Sequence, residues 1–192
     1  MSKNYYERQI KTWSTQYKAT ETEKISSMEE LIEWLPRNIP MEKKQYQKTT
    51  IVHGDFRLDN VVFHKTEMRI IAVLDWELST LGNPFSDLSS FGLIYHLPPT
   101  GYLPGLGNFD KGFSGIPTEL KMRDTYLERM GNLGEISEEA WSFFLSYSLF
   151  KGAAIAQGVY KRSLMGSASS TRGSQFLYVC KQMSKLAVDL SK

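Results

Sequence analysis

A chain of 192 residues, 41% hydrophobic and 23% charged, has room for one sizeable core or two very small ones and the apolar content to fill it. Lys plus Arg (23) nearly balance Asp plus Glu (21), a net +2 spread along the chain, which removes the electrostatic case for a nucleic-acid partner. The single cysteine, Cys180, excludes an intramolecular disulfide and fits a reducing compartment, and no apolar run approaches bilayer length.

The opening Met1-Ser2-Lys3-Asn4-Tyr5-Tyr6 lacks the apolar core of a secretory signal, and Ser184-Lys185-Leu186 is internal, so it carries no peroxisomal address. The expectation is a soluble, intracellular protein without a membrane span. Tyr6, Ile10, Trp13 and Tyr17 recur at helical spacing and predict an amphipathic first helix. After a charged link, Thr20 to Lys24, Ser27 and Glu30 form a capping-box signature, and Met28, Leu31, Ile32 and Leu35 continue the apolar stripe until Pro36 and Pro40 close it. Glu42 to Lys48 reads as a loop.

From Thr50 the pattern turns to strands. Ile51-Val52 is one, and Val61-Val62-Phe63 with Ile70 to Leu74 predicts a small buried hairpin around the charged turn His64 to Arg69. Gly82-Asn83-Pro84 is a turn with Pro84 at the first position of a new helix, whose inward face is Leu88, Phe91 and Tyr95. Pro98 to Gly115, rich in Gly and Pro, reads as a long irregular loop, placed to lie over a substrate site. Three further helices are predicted at about Pro117–Met130, Ser137–Leu164 and Ser174–Leu190, the middle one the central core helix.

Three polar groups in the strand region carry the chemistry: Asp55 after one strand, Asn60 before the next, and Asp75 at the end of the third. If the last two strands pair, Asn60 and Asp75 share one open end and can face one point in space. Two oxygen ligands converging there suit Mg2+, which keeps several waters and binds substrate phosphates. Asp55, five residues before Asn60, then stands ready to accept the proton of a hydroxyl that attacks a phosphoryl group. Taken singly, Asp55 is as well explained as a turn residue and Asn60 better so; their joint order and spacing favour the metal and base. His64 and His96 carry only structural readings, as does Cys180, a small buried apolar residue. Glu77 has two readings, assistance at the metal or a solvated carboxylate. Lys161-Arg162 also has two, complement to a helix C-terminus or a grip on an anionic substrate.

The stretch His53-Gly54-Asp55-Phe56-Arg57-Leu58-Asp59-Asn60, followed by Val73-Leu74-Asp75-Trp76-Glu77-Leu78-Ser79-Thr80-Leu81-Gly82 and Pro84-Phe85-Ser86-Asp87-Leu88, resembles the aminoglycoside phosphotransferase/choline kinase family. It is most similar to the phosphotransferase domains fused ahead of acyl-CoA dehydrogenase modules in certain mitochondrial and peroxisomal proteins. Thr12 to Tyr17 and Gln157 to Arg162 share that likeness, so it covers most of the chain. The resemblance implies an α+β, mostly helical fold, the C-terminal lobe of a protein-kinase-like fold with a short β-hairpin at the catalytic loop. It implies a single domain over 1–192, helical over 1–48, with the catalytic loop and metal hairpin at 50–88 and a helical substrate-side region at 89–192.

It implies roles as well. Asp55 is the expected catalytic base, Asn60 and Asp75 the Mg2+ ligands, and ATP the co-substrate. His53 braces the loop, Asp87 anchors the loop backbone, and Arg57 contacts phosphate or an acidic substrate. The expected activity is transfer of a phosphoryl group to a small-molecule hydroxyl, with a hydroxyacyl-CoA (a CoA ester) or a hydroxy acid of fatty-acid catabolism as acceptor, in the mitochondrion or peroxisome. A complete family member begins with a nucleotide lobe (a glycine-rich strand pair, a lysine and a glutamate), and nothing before Tyr5 supplies one. That lobe and a dehydrogenase module are therefore expected in a full-length relative, no flavin site is expected here, and the isolated chain is expected to be impaired. Two alternatives stay open: a non-catalytic docking module of a larger dehydrogenase-linked protein, and a metal-dependent hydrolase using the same carboxylates.

Overall fold

The computed structural model of the chain describes residues 5–41, 44–101, 103–107, 115–131, 134–166, 173 and 175–192. In chain order it runs α1 (Tyr5–Thr20), α2 (Ser26–Trp34), β1 (Thr50–Val52), β2 (Val61–Phe63), β3 (Ile70–Val73), β4 (Thr80–Gly82), α3 (Phe85–Gly92), α4 (Glu119–Arg129), α5 (Glu138–Leu164) and α6 (Gln175–Leu190). The architecture is the mostly helical α+β expected. It divides into two compact units, Met1–Pro40 with Ser137–Lys192, and Met41–Ile136. Among the described residues no helix is long and apolar enough to cross a membrane.

The first unit is a helical packing of α1, α2, α5 and α6. Ser137 caps α5 by accepting from the Ala140 amide at 3.2 Å, which fixes the helix start where the sequence places it. Trp141, Phe143, Phe144, Tyr147, Leu149 and Phe150 of α5 are all buried, so this is the core helix of its unit. Tyr6 of α1 packs on Phe143, Phe144 and Tyr147 with ring centroids 5.0–5.5 Å apart. Each such ring removes a large apolar area from water, at about 25 cal/mol per Å2. The capping box expected at Ser27 does not form. Helix α2 begins at Ser26, so Ser27 lies inside its first turn, and its hydroxyl meets Ser184 of α6 at 2.7 Å instead.

The second unit holds the strands with α3 and α4. Here β1 pairs antiparallel with β4, joining Thr50 to Gly82, Ile51 to Leu81 and Val52 to Thr80. Likewise β2 pairs antiparallel with β3, joining Val61 to Val73 and Val62 to Ala72. The predicted hairpin is therefore present, but it is not buried: Phe63, Ile70 and Ile71 are 58%, 49% and 51% exposed. Runs of β-branched residues read as buried strands, yet a two-stranded ladder without a third strand or a covering helix leaves such side chains in water. Strand β4 went unpredicted because Thr80-Leu81-Gly82 has no alternation of its own; its partner β1 supplies its reason. The loop expected at Glu42 to Lys48 contains a short 3-10 turn at Lys44–Gln47. Of the long loop over 98–115, the described residues form no helix or strand, and Tyr102 and residues 108–114 lie outside them.

Candidate active site

The site is assembled where the two ladders end. β1 stops at Val52, and the chain passes through His53, Gly54 and Asp55 into a 3-10 turn at Leu58–Asn60 that feeds β2. Gly54 has φ +85, and a Cβ there would stand 2.4 Å from the Leu78 carbonyl oxygen, so the close pass of these two segments requires glycine. The paired stretch extends one residue past the ladder: the Leu74 amide donates to the Asn60 carbonyl at 2.8 Å. Asn60 and Leu74 are thus neighbours across the open end, and Asp75 follows directly.

Asp55 and Asn60 are held together. The Asn60 side-chain nitrogen donates to the Asp55 carbonyl at 2.9 Å and to Asp55 Oδ2 at 3.2 Å. Both residues are half-buried, while Asp75 is exposed. With its nitrogen committed to Asp55, the Asn60 amide turns its oxygen the other way. Asp75 adopts a left-handed backbone (φ 66, ψ 54), the one non-glycine residue with positive φ among those described. Aspartate tolerates that region better than most residues, and such strain concentrates at functional positions.

Two struts, one buried and one half-buried, hold this arrangement. His53 is 3% exposed and both its ring nitrogens are engaged: Nδ1 accepts the Asp55 amide at 3.2 Å, and Nε2 lies 2.8 Å from the Leu74 carbonyl. Accepting at Nδ1 places the proton on Nε2, so this imidazole is the neutral tautomer that donates to Leu74. Its ring packs against Trp76 at 4.7 Å, and the Trp76 indole N–H donates to the Val73 carbonyl at 2.8 Å. The second strut is Asp87 in the first turn of α3. Its Oδ2 accepts the His53 amide at 2.6 Å and its Oδ1 the Gly54 amide at 2.9 Å.

Of the other predicted residues, Arg57 forms an exposed ion pair with Asp59, which contributes about 0–1 kcal/mol and leaves the guanidinium available. Glu77 sits exposed in the 3-10 turn after Asp75. Lys161 and Arg162 fall in the last turn of α5, in the other unit. Among the described residues no three His, Cys, Asp or Glu side chains converge as a metal cluster. The donors at the open end are one amide oxygen and one carboxylate, a hard-oxygen pair. That fits Mg2+, which retains waters and substrate phosphates in its shell, better than a metal that needs a full protein cage.

Residues 2–122 match the model of the phosphotransferase enzyme family. The chain belongs to that family. It is 44% identical to acyl-CoA dehydrogenase family member 10 of Mus musculus over 98% of this chain and 17% of that protein. It is 43% identical to acyl-CoA dehydrogenase family member 11 of Homo sapiens, over 98% of this chain and 23% of that one. The chain thus spans less than a quarter of these curated relatives. Among solved structures, a candidate aminoglycoside phosphotransferase from Ralstonia eutropha superposes with a TM-score of 0.89 at 41% identity, covering 98% of this chain and 55% of that one. The fold is therefore that of the aminoglycoside phosphotransferases.

In and around this candidate site, sequence reasoning missed three things. One is the carbonyl of Leu74 as the partner of His53. Another is the Leu78 carbonyl beneath Gly54. The third is Asn83, whose signal was present: an Asn just before a Pro that opens a helix is a ready side-chain cap for that helix.

Proposed function

We propose that this chain carries the phosphoryl-transfer loop of an ATP- and Mg2+-dependent phosphotransferase acting on a hydroxyl of a small molecule. The observation that supports it is the joint hold on Asp55 and on the backbone just before Asp75. Asn60 grips the Asp55 carboxylate with its side chain at 3.2 Å, while its carbonyl receives the Leu74 amide at 2.8 Å, one residue before Asp75. In this reading the acceptor hydroxyl donates its proton to the Asp55 carboxylate as its oxygen bonds the γ-phosphorus. The bond from that phosphorus to the bridging oxygen breaks, and ADP leaves with the electron pair. Asn60 Oδ1 and the Asp75 carboxylate are the groups that would hold magnesium, which when bound neutralises charge on the nucleotide phosphates. Positioning and electrostatics supply most of the catalysis in such transfers, so the two struts on the loop matter as much as the base. The relatives' names point to acyl-CoA chemistry. The acceptor class we infer is accordingly a hydroxyacyl-CoA or a hydroxy acid.

The test incubates the chain with MgATP and hydroxyacyl-CoA or hydroxy acid acceptors, and measures ADP and phosphorylated acceptor. Equal amounts of the two are expected, with kcat falling by about 10²–10⁴ in Asp55→Asn. Unchanged turnover in that variant would sink the assignment, and phosphate release without an acceptor would point to a hydrolase. A second reading is favoured by the chain's small share of its relatives, 17% and 23%. There the chain is a non-catalytic docking module of a larger dehydrogenase-linked protein. It predicts no Mg2+-dependent ATP binding by calorimetry.

A further inference from the structure

Asn83 occupies the opposite end of the β1–β4 ladder from His53, and it is 2% exposed. Each polar group of its side chain is used. Nδ2 donates to the Tyr46 carbonyl at 2.6 Å, and Oδ1 accepts the Phe85 amide at 3.0 Å. Its own carbonyl accepts the Ser86 amide at 3.0 Å. Through the first bond it grips the turn that precedes β1; through the others it fixes the first turn of α3. The Tyr46 and Phe85 rings meet edge to face at 5.8 Å beside it. From α4, the Tyr126 hydroxyl donates to the Pro84 carbonyl at 3.4 Å, a third hold on the same helix start.

Asp87 stands in that first turn, and its carboxylate collects the His53 and Gly54 amides at the far end of β1. A closed circuit results: β1 leads to the two amides, these to Asp87, Asp87 through α3 to Asn83, and Asn83 through Tyr46 back to the start of β1. A circuit of this kind sets the height of the carboxylate against the amides, because β1 cannot slide along α3 while both ends are tied. Opened at Asn83, the helix start is free to shift, and the loop that presents Asp55 shifts with the carboxylate it hangs from.

We propose that Asn83 is a positioning residue for phosphoryl transfer, acting through Asp87 on the loop that bears Asp55. The proposal rests on the function proposed above, and its first readout does not depend on that function. Asn83→Ala opens the circuit. Asn83→Ser retains a short acceptor for the Phe85 amide but cannot reach Tyr46, so it isolates the Tyr46 bond and serves should the alanine variant fail to fold.

In either folded variant, hydrogen exchange at the His53 and Gly54 amides is expected to quicken about tenfold or more, while the hydrogen-bonded amides of the β1–β4 ladder change much less. A general loss of stability would instead quicken both groups alike. Where turnover is measurable, kcat should fall by up to about a hundredfold with KM for MgATP little changed, as expected for a misplaced reacting group. Combined with Asp87→Asn the losses should fall short of additive, since both act through one pair of hydrogen bonds. Unchanged exchange at His53 and Gly54 in Asn83→Ser, or full additivity with Asp87→Asn, overturns the proposal. A parent chain without turnover would count against the assigned function, and the exchange result would still decide whether Asn83 holds the loop.

Discussion

His53 and Leu74 are joined by a 2.8 Å bond between the imidazole Nε2 and a main-chain carbonyl, and that bond ties the loop bearing Asp55 to the strand end bearing Asp75. The two carboxylates lie twenty residues apart in sequence, so something must fix their spacing, and a buried ring with both nitrogens engaged does so stiffly. Replacing His53 by Phe would keep an aromatic contact with Trp76 while leaving the Leu74 carbonyl and the Asp55 amide without their partner. Both bonds are part-buried, and each contributes about 0.5–1.5 kcal/mol. Urea unfolding of His53→Phe should therefore show a loss in that range or above. An unchanged midpoint would mean that water replaces both bonds, and that the strut is dispensable.

Asp87 gives the companion prediction. A carboxylate that accepts two consecutive amides makes two charge-assisted bonds, each worth about 1.5–3 kcal/mol. Asp87→Asn keeps one acceptor oxygen in place; Asp87→Ala keeps none. The expected order of stability is Asp, then Asn, then Ala, read from denaturant midpoints at neutral pH. If the Asn and Ala variants prove equally stable, the carboxylate is contributing helix-dipole complement at the start of α3 rather than a hold on the loop.

These two struts also mark how far the sequence could be read. Helices α1, α4, α5 and α6 follow from periodicity and from Ser137, whose side chain does what its type and position announce. Asp55, Asn60 and Asp75 stood out because strand ends place polar groups at a common edge, and the structure does bring Asn60 beside Leu74. What could not be read was contact between segments distant in sequence. Nothing near Gly54 announces that Leu78 passes beneath it, and Ser27 gave up its capping role to Ser184 across more than a hundred and fifty residues. The exposure of Phe63 and Ile71 was equally hidden, since apolar character records what a side chain prefers and not whether a second layer exists to cover it.

Gly54 offers a sharper test of the loop's path. Its φ of +85 disfavours any L side chain, and an added Cβ would come within 2.4 Å of the Leu78 oxygen, a main-chain atom that cannot rotate away. Gly54→Ala should then cost about 1–3 kcal/mol from the backbone conformation alone, with relief of the clash displacing the turn at Trp76–Leu78. Trp76 packs on His53, so its fluorescence should report that displacement in the folded variant. A folded Gly54→Ala with parental stability and parental Trp emission would show that the two segments do not pass this closely.

Stability should fall in alkali, and the direction follows from burial. In the first unit, burial pushes the Cys180 thiol from 9.0 up to about 12. In the second, burial pushes the Tyr126 hydroxyl from 10.0 up to about 12, with the Asp87 charge adding to it. Both groups are neutral when protonated, and the folded chain holds the proton more tightly than the unfolded chain. Between about pH 9 and 12 the unfolded state therefore binds fewer protons, and the free energy of unfolding declines as pH rises. Their contribution is complete below the unfolded values and is lost on passing through the folded ones. Melting temperature should be flat from neutral pH to about 9 and then drop, and Cys180→Ala should flatten the part of the drop that begins nearest pH 9. The thiol should also resist disulfide reagents at pH 8, where an exposed cysteine reacts readily. Rapid labelling of the folded chain at that pH, or a thermal profile indifferent to alkali, would mean that Cys180 is reached by solvent and that the packing around it opens more easily than its burial implies.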